Sequence, residues 1–164
     1  MIRITPLPAP LTMRDPATLI ATGFGSGRIA PAPGTWGTAA ALIPALALVP
    51  LGPAGYALAA ALALILGLWA VGRFEAASGS HDLGMVVIDE WAGLWLALAF
   101  AAPRVEEYAL AFLLFRLFDA WKPGPIGWLD RKVAGAWGVM VDDLAAGLTA
   151  GVLVFGYERW MYWY

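Results

Sequence analysis

Five carboxylates stand where apolar stretches begin or end. They are Asp89 and Glu90 in "VVIDEWAG", Asp119 in "FRLFDAW", and Asp142 and Asp143 in "GVMVDDLAAG". Hard oxygen donors of this kind suit Mg²⁺ or Mn²⁺, and a charge at the edge of hydrocarbon is costly enough to imply a function. Capping and ion pairing are the competing explanations. Asp142 or Asp143 could cap a helix N-terminus, where a carboxylate accepts backbone N–H bonds. Glu90 and Asp119 could pair with Arg116 or Lys122, each of which lies three residues from Asp119. Five acids exceed what capping needs. Asp119 in particular ends a helical pattern, where the dipole disfavours an anion. A divalent cation would relieve both that cost and the repulsion among the acids.

Parts of a phosphate site accompany them. Lys122, Arg131 and Lys132 share one linker, and Arg116 lies just before it. "GFGSG", which contains Ser26, could present backbone N–H groups to an anion. Thr35 in "PGTWG" reads either as a plain N-cap or as a phosphate contact at a helix start. His81 is the only histidine and is flanked by Asp82 in a polar break, so it reads either as structural or as an acid/base group. A metal with cations beside it suits phosphoryl chemistry. These residues alone do not separate hydrolysis from transfer to another alcohol.

The elements that must hold these groups are helices in a membrane. The 164 residues leave room for one domain, 1–164. They are 61% hydrophobic and 13% charged, with a mean hydropathy of +0.72. A soluble fold needs more polar surface than this. No cysteine is present, which excludes disulfides, thiolate metal sites and a cysteine nucleophile. The net charge of −2 says little about partners, and no nucleic acid is expected among them.

The expected fold is all-α, a polytopic membrane bundle of about five helices, some short or partly interfacial. Residues 1–16 read as a mobile tail, and the Gly/Pro-rich stretch after them as re-entrant or interfacial backbone. Apolar runs follow at about 35–50, 54–74, 86–102 and 105–121, and a last one starts at Asp142 or Asp143. The first is short against the roughly 20 residues of a span, which leaves open whether it fully crosses. Linker 120–141 reads as an interfacial loop with a short helix in "GPIGWLDRKVAG", apolar below and basic above.

If successive helices alternate in direction, linkers 1–34, 75–85 and 120–141 share one face. They and the adjoining helix ends carry Arg3, Arg14, Arg28, Arg73, Arg116, Lys122, Arg131 and Lys132, whereas the opposite face has Arg104 and Arg159 only. The positive-inside rule makes the first face cytoplasmic. Asp82, Asp89, Glu90, Asp119, Asp130, Asp142 and Asp143 then gather there, although they are distant in sequence.

Several known patterns are missing. No Walker A motif occurs, one histidine is too few for a phosphohistidine lipid phosphatase, and the spaced aspartates of CDP-alcohol phosphotransferases do not fit. What the chain resembles is the phosphatidylglycerophosphatase A family, over about residues 20–150. The resemblance rests on "GFGSG", "PGTWG", "HDLGMVVIDEWAG", "FRLFDAWKPGPIGWLDR" and "GVMVDDLAAG" in this order. It implies a Mg²⁺-dependent hydrolase of the bacterial inner membrane that converts phosphatidylglycerophosphate to phosphatidylglycerol and phosphate. Related sequences can carry histidine where this chain has Leu83 and Ala134, which leaves His81 the only imidazole.

The expectation is therefore a multi-pass lipid phosphatase facing the cytoplasm. Asp89, Glu90, Asp119, Asp142 and Asp143 would hold one or two Mg²⁺, with Mn²⁺ as a substitute. One acid of each adjacent pair would stand back, because neighbouring helical residues point about 100° apart. Ser26, Thr35, Arg116, Lys122, Arg131 and Lys132 are the candidate phosphate contacts, and His81 or a spare carboxylate would handle the proton. Two rival readings are a phosphatase of another phospho-lipid or isoprenoid phosphate, and a small cation transporter with its acids near the membrane midplane. Oligomeric state is not legible.

Overall fold

The computed structural model describes residues 1–81 and 83–163, and of Trp163 the backbone only. Asp82 and Tyr164 lie outside them. The described residues form seven α-helices: α1 (Pro16–Ala21), α2 (Pro33–Leu48), α3 (Gly52–Ser78), α4 (Ile88–Leu98), α5 (Val105–Trp121), α6 (Pro125–Lys132) and α7 (Gly135–Trp163). The five longest are the five expected helices, and α6 is the short helix expected in linker 120–141. Its Ile126 and Gly127 are buried while Trp128, Arg131 and Lys132 face outward.

The bundle is built inside out relative to a soluble protein. Its interior is rich in small residues, among them Ala41, Ala63, Ala70, Ala92, Ala97, Ala146 and Ala150. Its exposed surface carries Ile43, Leu62, Ile65, Leu113, Leu148 and Val152. Lipid gives Leu no reason to hide, so helices in a membrane associate through close backbone approach instead. Two stretches, Pro33–Ser78 and Gly135–Tyr162, are long and apolar enough to cross a membrane. The first is a hairpin: Pro33 and Gly34 at the start of α2 and His81 beyond the end of α3 line one pocket. Gly52, at φ +61°, lies at its bend.

The central helix is α4. It packs against α2, α3, α5 and α7, and Ile88, Trp91, Leu94, Ala97 and Leu98 are all buried. Its eleven residues reach only about 16 Å, half the ~30 Å of a hydrocarbon core. It therefore enters the bundle from one face and stops inside. At the other end Arg104 Nη1 donates to Glu107 Oε1 at 2.5 Å, and Glu107 Oε2 accepts the backbone N–H of Ala102 at 2.6 Å. This closes the α4–α5 connection around a fully buried acid.

The N-terminal segment docks on this frame. Residues 1–16, expected as a mobile tail, meet the rest of the chain at Arg3–Ile4, which pair antiparallel with Ile29–Ala30. Asp15 Oδ2 caps α1 through the Thr18 N–H at 2.9 Å, and that bond with the Thr18 hydroxyl holds the Asp15 carboxyl below its ordinary pKa. The start of α7 corrects the sequence reading. The helix begins at Gly135, not at Asp142 or Asp143, so those acids lie two turns inside it and cap nothing. Gly135, at φ +67°, makes the break, and the apolar residues after it simply continue the helix.

Tyr56 ties the far end of the hairpin to α5. Its hydroxyl donates to the Ala45 carbonyl at 2.9 Å and meets the Tyr108 hydroxyl at 2.6 Å. Tyr56→Phe is expected to cost about 1 kcal/mol, read as a lowered thermal midpoint in detergent. An unchanged midpoint would show that the pair contributes nothing.

Candidate active site

One end of the bundle opens into a pocket of about 340 Å³. Its walls come from the start of α2, the turn before α4, the first turn of α4, the C-terminal end of α5, α6 and the first turns of α7. His81, Asp89, Glu90, Arg116, Asp119, Lys122, Asp142 and Asp143 all line it. The fold thus brings together six of the seven acids that the sequence placed on one face, the seventh, Asp82, lying outside the described residues, even though α4 is too short to cross.

At its centre, Asp89, Glu90 and Asp143 hold carboxylate oxygens within 4.8 Å of one another. The N-terminus of α4 points here, and its dipole favours anions at Asp89 and Glu90. Asp89 Oδ1 accepts the Glu90 N–H at 3.0 Å. Among the described residues, Glu90 Oε2, Asp142 Oδ1 and Asp143 Oδ2 are buried oxygens with no hydrogen-bond partner. Buried carboxylate oxygens without partners are costly unless a cation joins them, so the clustered Asp89, Glu90 and Asp143 form a donor set that fits a hard divalent metal.

The cations divide the remaining acids. Arg116 pairs with Asp119 one turn along α5 and lies 3.6 Å from Glu90. Asp119 therefore already has an intrahelical partner that offsets its position at the negative end of α5. Lys122 Nζ bridges Asp142 at 2.6 Å and Asp130 at 2.5 Å, joining the end of α5 to α6 and α7. Burial opposes the charge on Lys122, but these two bonds outweigh it and raise its pKa above the ordinary lysine value. Within the α7 pair, Asp142 thus turns to Lys122, and Asp143 turns to Asp89 and Glu90.

The other predicted contacts sit elsewhere. Ser26 donates its hydroxyl to the Gly23 carbonyl at 2.7 Å, and Thr35 is exposed; neither lines the pocket. The backbone N–H groups of residues 23–28 all donate to carbonyls of the loop or of α1, so "GFGSG" has none to offer an anion. Its glycines serve packing instead: a Cβ on Gly27 would lie 2.2 Å from the Met85 carbonyl, in the strap that leads into α4. Arg131 and Lys132 are exposed on α6, outside the pocket lining. His81 is at the rim, 74% exposed, its Nδ1 2.9 Å from Glu75 Oε1.

Three site residues were missed. Asp130 stood among the acids of the right face, and its eight-residue offset from Lys122 carries no helical signal. Thr38 donates to the Gly34 carbonyl and lies 3.5 Å from Arg116 Nη1. Gly34 has Glu90 Oε1 2.3 Å from where a Cβ would stand, so "PGTWG" contributes its glycine rather than its threonine to the site.

Comparison with known proteins points to one family. The sequence model of the family described as phosphatidylglycerophosphatase A matches residues 19–158. The chain belongs to the phosphatidylglycerophosphatase A family. It is 39% identical to phosphatidylglycerophosphatase A of Haemophilus influenzae, over 92% of this chain and 94% of that one. It is 40% identical to the Escherichia coli protein of the same name, over 92% and 88%. It is also 38% identical, over 87% and 93%, to a Bacteroides thetaiotaomicron protein assigned provisionally as a phosphatidylinositol-3-phosphatase. No solved structure matches the chain. Membership makes the protein a phosphatase, and the pocket is where this family member gathers its acids and cations.

Proposed function

We propose that the protein is a Mg²⁺-dependent phosphatidylglycerophosphatase. It hydrolyses the terminal phosphate of phosphatidylglycerophosphate to give phosphatidylglycerol and inorganic phosphate, in phospholipid biosynthesis at the bacterial inner membrane. The observation that carries this is the meeting of Asp89, Glu90 and Asp143 beside Arg116 and Lys122 at one end of a bundle with an apolar surface, in a chain whose relatives bear that name. The surplus of basic residues at that end favours a multi-pass orientation with the site facing the cytoplasm.

Asp89, Glu90 and Asp143 would hold the metal, with Asp119 and Asp142 at its margin. A divalent cation there would place positive charge against the phosphoryl oxygens and make the attacking water more acidic. The chain supplies the rest. Arg116 offers a planar fork of N–H donors to the phosphate, and Lys122 a point charge. The water oxygen bonds to phosphorus, the bond from phosphorus to the glycerol oxygen breaks, and that oxygen gains a proton. His81, at the rim of the pocket, or a spare carboxylate would move the proton; when the His81 Nδ1–H donates to Glu75, Nε2 is left as the acceptor.

The Bacteroides relative keeps a second reading open, in which another phospho-lipid is the substrate. A cation transporter fits less well, because the acids sit with Arg116 and Lys122 at one end of the bundle rather than along a path through it. Purified protein in mixed micelles, assayed for phosphate release with Mg²⁺ and with EDTA, tests the proposal. Release from phosphatidylglycerophosphate should fall at least about a hundredfold in EDTA. No release in Mg²⁺ would defeat the reading. Faster release from a phosphoinositide or an isoprenoid phosphate would move the assignment to that lipid.

A further inference from the structure

A second cavity, of about 600 Å³, runs along the seam between α2 and α5. Ala39, Leu42 and Leu46 line it from α2, and Tyr108, Ala109 and Phe112 from α5, with no charged side chain among its walls. The same two helices, α2 and α5, also wall the phosphate pocket. On α2, Gly34, Thr38, Leu42 and Leu46 follow one another at four-residue steps along one slanting row. On α5, Arg116, Phe112, Ala109 and Val105 do the same at steps of four and three. The upper members of the two rows meet at the Arg116 guanidinium: a Cβ on Gly34 would lie 3.1 Å from it, and the Thr38 hydroxyl is 3.5 Å from it. The lower members are apolar and stand apart.

From Arg116 to Val105 the seam runs about 16 Å along α5, from the acidic pocket toward the end of the bundle that Arg104 and Glu107 close. At the bottom, Tyr108 turns its hydroxyl to Tyr56 and leaves its ring to the groove. Ala39 and Ala109 keep the walls open where a larger side chain would fill the space.

We infer that this seam is a substrate subsite that takes one acyl chain of the lipid phosphate while the headgroup occupies the acidic pocket. The inference rests on the reading of the protein as a lipid phosphatase and adds where the lipid's tail is held. The polar-to-apolar order along two helix faces mirrors the order of phosphate and chain in the substrate. Discrimination between long-chain and short-chain substrates then resides in α2 and α5, away from the groups that act on phosphate.

The test compares a dioleoyl and a dihexanoyl phosphatidylglycerophosphate in mixed micelles, for the wild type and for Leu42→Trp and Ala109→Trp. The wild type should favour the long-chain substrate by at least about tenfold in kcat/KM, the contribution of a few buried methylenes. Each Trp variant should lose about tenfold on the long-chain substrate and stay within about twofold on the short one. The ratio of the two substrates is independent of how much protein is folded. A ratio unchanged by both variants would overturn the inference.

A photoreactive benzoylphenylalanine at position 109 supplies the second measurement, with a clickable diacyl phosphatidylglycerophosphate as probe. Labelling that unlabelled phosphatidylglycerophosphate displaces, and phosphatidylcholine does not, supports the subsite. Equal displacement by phosphatidylcholine would make the seam a bulk-lipid groove, and a crosslinked dimer would make it a self-association face; either overturns it. Failure of the underlying phosphatase reading is separately visible, as a wild type that releases phosphate from neither chain length while headgroup-dependent labelling persists.

Discussion

Asp143→Asn should abolish phosphate release, by about a thousandfold in kcat, whereas Asp142→Asn should cost far less. The two residues are adjacent and chemically alike, so the difference is a statement about geometry. Asp143 shares its space with Asp89 and Glu90, all three within 4.8 Å. Asp142 is held 2.6 Å from Lys122. Asparagine keeps the shape of either side chain and removes one charge. At position 143 that takes an anionic ligand from the centre. At position 142 it loosens Lys122, which keeps Asp130 as a partner, and the effect should fall on KM.

Thermal melts separate loss of the site from loss of the fold. In EDTA, Asp143→Asn should be at least as stable as the wild type, because it relieves repulsion among buried carboxylates. With Mg²⁺ at a hundred times its dissociation constant, the wild type should gain about 2.7 kcal/mol, and Asp143→Asn should lose most of that gain. Full activity in Asp143→Asn, or a harsher effect at 142 than at 143, would exchange the roles assigned to the pair.

Gly147→Ala is expected to be nearly as damaging, though it touches no polar group. A Cβ at Gly147 would lie 2.1 Å from the Gly93 carbonyl oxygen, so α4 and α7 cross with their backbones in contact. Gly93 is confined in turn, with Phe115 2.5 Å and the Asp143 carbonyl 2.7 Å from where its own Cβ would be. No flexible side chain is available to yield between Gly147 and Gly93, so one helix must move. This crossing is what sets Asp143 against Asp89 and Glu90. A displacement of about 1 Å there can cost a hundredfold in rate, and overpacking of this kind about 1–3 kcal/mol in stability.

Gly72→Ala is the control. Gly72 lies on the exposed side of α3 with nothing within 4 Å of a Cβ, so alanine there should leave activity intact and raise stability by about 0.5–1 kcal/mol. Wild-type activity in Gly147→Ala would mean that the α4–α7 crossing tolerates a spacing the structure does not have.

Much of this protein is legible before any coordinates. Hydropathy without cysteine or a polar surface marks a membrane bundle, and Pro50, Gly52 and Pro53 mark the hairpin bend. Alternating helix direction places the acids at shared ends, because direction is a matter of counting and does not depend on how the helices pack. The α7 start was misplaced for a local reason. Gly135, Trp137 and Gly138 resemble a loop when read singly, yet the bundle carries them as helix. "GFGSG" misled similarly: glycines that leave amides free for an anion and glycines that allow a close backbone approach look the same in sequence.

What the sequence by itself determined is the chemistry available and the face on which it gathers: carboxylates, two nearby cations and one imidazole at the same end of the membrane helices. Only the tertiary structure decided that Asp89 and Glu90 both join the centre while of the α7 pair Asp143 alone does, that Asp119 and Asp142 are claimed by Arg116 and Lys122, and that α2 and α5 part below the pocket to leave a groove. Those outcomes depend on the rotation of each helix about its axis and on how closely backbones approach. Both are set by contacts such as Gly93 against Gly147, between residues that lie far apart in the chain.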